Sequence, residues 1–165
     1  MPSFPVLGAL CALALTVSAA ATLTLARHAT SPPAAPPAPT EPDGHLVLQI
    51  EGDARALQVT RITRKPDPCG PARFTSASAI VVRDAAGSEL GRVPLDLSLF
   101  DLDPAHVGRP LHVDGCVVRD TRVAMLANVP HWPDAASLEI VHEGRVLGVL
   151  AGARYEALVR AGAPR

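Results

Sequence analysis

The sequence predicts an all-β body, an antiparallel sandwich of seven or eight strands. Apolar residues alternate at period two in short runs such as His45 to Ile50 (HLVLQI), the period of a half-buried strand. Glycine-containing turn signals separate pairs of these runs, as in Asp84-Ala85-Ala86-Gly87, Asp114-Gly115 and Glu143-Gly144. Only Arg154 to Arg160, at the C-terminal end, reads as helix. Many short runs with frequent turns and no period long enough for a solenoid define a sandwich.

Each element follows from its residues. His45 to Ile50 opens the body, and Ala56 to Thr63 (ALQVTRIT) alternates so that Leu57, Val59 and Arg61 share a face. Ala79 to Val82 and Leu90 to Val93 flank the Asp84–Gly87 turn as a hairpin. Leu111 to Val113 and Cys116 to Val118 flank Asp114-Gly115 as a second. Val123 to Val129 is a further strand, and Ser137 to Val141 with Val146 to Leu150 forms the last hairpin. The body's aromatics are Phe74, Phe100, Trp132 and Tyr155, so Val, Leu, Ile and Ala must fill its interior.

Three segments are expected: residues 1–28 as signal-anchor or signal peptide, 29–43 as linker, and 44–165 as the sandwich domain. Val6 to Ala26 carries no charged side chain and ends at Arg27-His28, long enough to cross a bilayer as a helix. Val6 to Val17 also fits a signal h-region, with Ser18 to Ala21 as small cleavage residues, although Met1 to Pro5 lacks a basic residue. Both readings stay open, and both place the C-terminal domain outside the cytoplasm, anchored or else secreted or periplasmic after cleavage. Cys11 reads as an inert cysteine of that segment, because Leu10 stands where a lipoprotein signal needs a small residue. Ser31 to Asp43 holds six prolines and almost no large apolar group, the composition of an extended spacer. At about 3.1 Å per residue it would hold the body ~40 Å from the bilayer.

Flanking charge weakly favours the topology opposite to export, since Arg27, the basic residue beside the apolar run, lies on its C-terminal side with His28. The cysteines speak for export. Cys69 and Cys116 are the two outside the leader, and an exported pair is read as a disulfide. Closing a loop of about 47 residues would stabilise by roughly 4 kcal/mol on the chain-entropy account. A formal net charge of −1 argues against nucleic acid, which would want a basic face.

Val129-Pro130-His131-Trp132-Pro133-Asp134-Ala135-Ala136-Ser137-Leu138-Glu139-Ile140, followed by Gly144-Arg145-Val146-Leu147-Gly148, carries a resemblance, as does the hairpin Val81 to Leu90. These segments resemble bacterial exported immunoglobulin-like β-sandwich accessory domains, similar to those attached to IgA-peptidase-type zinc metallopeptidases. The resemblance implies an immunoglobulin-like sandwich and an exported setting. It implies no catalytic residues, because the chain has no His-Glu-x-x-His.

Several constellations have plainer readings beside the functional ones. His112, Asp114 and Cys116 alternate and would share one face of an unbroken strand as a metal trio, but the Asp114-Gly115 turn scatters them. Asp96, Asp101 and Asp103 lack a glycine-spaced calcium loop and read as turn caps. Ser98 and His106 with a neighbouring Asp lack a nucleophile elbow. The expectation is therefore no catalytic residue, no metal and no cofactor. His131 and Trp132, between Pro130 and Pro133, are the candidate partner contact. The expected function is a non-enzymatic cell-envelope protein presenting its sandwich for protein binding or assembly, with the membrane met through the N-terminal segment. A small-ligand or carbohydrate-binding module is the alternative.

Overall fold

The computed structural model describes residues 41–163. The leader, Cys11 and most of the proline-rich segment lie outside the described residues. Among the described residues no helix is long and apolar enough to cross a membrane.

Among the described residues the body has nine antiparallel strands and one short α-helix. They are β1 (His45–Asp53), β2 (Leu57–Lys65), β3 (Ser78–Asp84), β4 (Glu89–Pro94), β5 (Leu111–Asp114), β6 (Val117–Asp120), β7 (Arg122–Pro130), β8 (Ala135–His142), β9 (Arg145–Ala151) and α1 (Gly152–Ala161). One sheet has the order β2-β1-β7, a second β4-β3-β8-β9, and β5 pairs with β6 alone. The two larger sheets thus hold seven strands. The β5–β6 hairpin brings the total to nine, above the seven or eight expected.

Turn chemistry explains the hairpins. At Asp84–Ser88 the Asp84 carboxylate accepts from Ala86 N at 2.9 Å and Ser88 N at 2.7 Å, and Gly87 takes φ 83°. Glu143 and Gly144 sit at φ 48° and 78° between β8 and β9, the left-handed pair that a type I′ hairpin needs.

The core joins both larger sheets. Leu46, Leu48 and Ile50 of β1 and Leu57, Val59 and Ile62 of β2 form one cluster with Ile80 and Val82 of β3, Leu138 and Ile140 of β8, and Leu147 and Leu150 of β9. Val123 and Val129 of β7, Tyr155 of α1, and Leu95 and Leu97 of the β4–β5 connection complete it. Full burial of each such side chain contributes about 1.5–3 kcal/mol.

Arg61 does not share the face of Leu57 and Val59. Pairing runs Gln49↔Arg61 and then Ile50↔Val59, which leaves Thr60 as an extra residue on β2. This bulge shifts the alternation by one, so Arg61 is exposed and Ile62 enters the core.

Candidate functional sites

A groove and a side-chain cluster stand out. The groove, about 840 Å³, lies between β4 and β7, each an edge strand of its own sheet. Gly91, Val93 and Leu95 line one side and Met125, Leu126 and Ala127 the other, with Cys69, Phe74 and Trp132 also in the wall. Phe74 is 48% and Leu126 67% exposed, so apolar surface faces water here. β7 intensifies this: from Val123 to Pro130 (VAMLANVP) it carries no charge, although its outer edge has no strand partner among the described residues. Edge strands normally carry lysine, inward charges or proline against unwanted pairing. β4 has such protection in Arg92, paired to Glu89 at 2.8 Å, and in Pro94. The hydrogen bond and charge of Arg92 hold Glu89 below the usual carboxylate range. Between its two ends, β7 has nothing comparable.

His131 and Trp132 separate in role. His131 is buried, its Nδ1 donates to the Asp43 carboxylate, and its backbone bonds Asp43 and Gly44. It fastens the entry of the chain to the end of β7. Trp132 is half-buried over Gly91, where an added Cβ would come 2.3 Å from the indole ring. Of the expected pair, only Trp132 faces the groove.

Cys69 and Cys116 are both free, so the expected bridge is not formed here. Cys69 stands in the groove wall, while Cys116 is exposed in the two-residue turn of the β5–β6 hairpin. Gly115, at φ 60°, supplies the left-handed residue that this turn requires. Burial raises the Cys69 thiol pKa, which lowers its thiolate fraction.

The cluster unites residues that sequence spacing had assigned to three different groups. Asp101 follows the buried Leu95–Leu97 stretch and is itself buried. Its Oδ2 lies 2.7 Å from His106 Nδ1 and 2.6 Å from His112 Nδ1. Asp101 Oδ1 accepts from Asp103 N at 3.0 Å. His106 comes from the 3₁₀ turn Pro104–His106, capped by Asp103, and His112 from β5. The two imidazoles pack at 4.1 Å between centroids, 37° apart. Burial raises the Asp101 pKa, but the Asp103 amide and the two histidines outweigh it and hold the carboxyl below its ordinary value.

The remaining side chains of those groups take other places. Asp96 accepts from Ser98 N, and Asp103 from Ala105 N, each capping its own turn. Ser98 belongs to the Asp96 turn, while His106 is on Asp101. His112 turns to Asp101, and the turn carries Cys116 away.

Compared with family models, curated proteins and solved structures, the chain finds no match.

Proposed function

We propose that the body is a non-enzymatic binding or assembly module of the cell envelope, and that the β4–β7 groove receives an extended apolar segment of a partner protein. The observation that carries this reading is β7: nine residues, uncharged from Val123 to Pro130, without an outer strand partner among the described residues and bordering an apolar groove. An added strand gains main-chain hydrogen bonds from such an edge and specificity from neighbouring side-chain pockets. Phe74, Leu126 and Trp132 offer the apolar and aromatic anchors that dominate binding energy. The exported setting is read from the leader and linker composition.

An immunoglobulin-like sandwich is the fold we assign. The order β4-β3-β8-β9 parallels the C′-C-F-G side of that fold. The other sheet departs from it, because β1 rather than β2 lies beside β7, whereas in the immunoglobulin order the second strand takes that central place. The likeness to peptidase accessory domains belongs to the same reading, as a fold and a setting.

The small-ligand alternative draws on the groove's size and its Trp132. A sugar platform needs an open aromatic face, and Trp132 is packed onto Gly91.

Photo-crosslinking in intact cells tests the proposal. A crosslinker at Leu126 or Phe74 should give the same discrete protein adduct, and one at the exposed Val149 of β9 should not. Leu126→Lys should abolish the adduct formed from Phe74. No adduct from either groove position, or an equal adduct from Val149, removes the groove as the contact face.

A further inference from the structure

We propose that Asp101, His106 and His112 form a binding site for one divalent cation of the zinc class, independent of the β4–β7 groove. Three potential ligand atoms, one from each residue, lie within 4.8 Å of one another. Two imidazoles and a carboxylate suit zinc and neighbouring transition metals, whereas magnesium and calcium take oxygen ligands.

The surroundings orient these groups. Asp101 is buried with its Oδ1 held by the Asp103 amide, which leaves Oδ2 turned to both histidines. Zinc ligands stand about 2.0–2.2 Å from the ion. Oδ2 and each Nδ1 are now 2.7 and 2.6 Å apart, whereas two ligands of a tetrahedral zinc stand about 3.3–3.6 Å apart, so the ion enters by displacing the protons between them and moving the side chains apart by roughly 0.6–1 Å. With the ion bound, the Nδ1 lone pairs face the metal, and each neutral imidazole carries its single proton on Nε2, taken up from solvent as Nδ1 gives its own proton to solvent. Asp103 Oδ2 lies 3.9 Å from His106 Nε2, beyond a hydrogen bond, so its carboxylate adds only negative charge behind that imidazole. His106 and His112 are 24% and 31% exposed at their side chains, so the fourth position of a tetrahedral ion opens to water or to a donor group from outside. The ion also ties β5 to the connection after β4.

The test is zinc titration of the full chain in competition with a chromophoric chelator, with metal content measured by mass spectrometry on protein purified without a histidine tag. One equivalent of zinc should bind, with no competition from a thousandfold excess of magnesium. His112→Ala and His106→Ala should each weaken binding at least tenfold, and Asp103→Asn by much less than either. His45→Ala and the double variant Cys69→Ser/Cys116→Ser should bind as the parent does. Asp101→Asn removes a buried carboxylate and can harm folding. The exposed-side His112→Ala, checked for an unchanged circular dichroism spectrum, keeps the result decisive. No stoichiometric zinc, or zinc lost with the cysteines and retained by both histidine variants, overturns the site.

Discussion

Asp43 shows how much one side chain does where the chain enters the body. It accepts from His131 Nδ1 and from the Arg64 guanidinium at 2.8 Å, so it joins the end of β7 to β2. Slight burial raises its pKa, but the hydrogen bond and charge of His131, with the charge of Arg64, outweigh it, and the net direction is down from the model-compound value of 3.8. A carboxylate with a depressed folded pKa contributes stability that is present above its unfolded value and lost as pH falls through the folded one. Asp43→Asn removes that contribution and has no proton to lose. The variant should be less stable than the parent at pH 7, with the gap closing between about pH 5 and pH 3. Because Asp43 is half-exposed, solvent screening keeps the gap small. Urea unfolding at both pH values measures it, and a gap that stays constant through this range would show that the charge contributes nothing.

Between elements, close approach is set by glycine. At Gly148 of β9 an added Cβ would stand 2.0 Å from the Leu57 carbonyl oxygen of β2, a backbone atom fixed by the sheet. At Gly91 of β4 the obstacle, at 2.3 Å, is the Trp132 ring, which can rotate away. Gly148→Ala should therefore cost about 1–3 kcal/mol or more by forcing strands apart. Gly91→Ala should cost less while changing Trp132 fluorescence. Thermal melts rank the two, and a Gly148→Ala protein as stable as the parent would contradict the packing. The elements themselves were legible, since Asp84–Gly87, Asp114-Gly115 and Glu143-Gly144 carry their turn geometry locally. Long-range pairings were not. Nothing in the residues of β1 states that β7 lies beside it, and the bulge at Thr60 leaves no mark in an alternating run. The cluster escaped for a related reason. Asp101, His106 and His112 are close in sequence, but only the path of the β4–β5 connection, set by buried Leu95 and Leu97 and by the Pro104–His106 turn, converges them.

At the scale of the molecule, the two larger sheets share one core, and this fixes how the body must unfold. Leu48 belongs to β1 in one sheet and Ile140 to β8 in the other, yet both belong to the same buried cluster. Neither sheet has a separate interior to retain once the other is lost, and domains of this size unfold as one cooperative unit. Trp132 is the sole tryptophan, at the turn between β7 and β8, so its fluorescence reports on the junction of the sheets, while far-ultraviolet circular dichroism reports on the strands as a whole. The two signals should melt with one midpoint. Leu48→Ala and Ile140→Ala each open a cavity costing about 2–5 kcal/mol, and each should lower both midpoints together, whichever sheet it strikes. If the fluorescence midpoint moved with Ile140→Ala alone, or the two signals separated in the parent, each sheet would be holding a core of its own. The packing of Leu46, Leu48 and Ile50 into one cluster with Ile80, Leu138 and Ile140 leaves no room for that division.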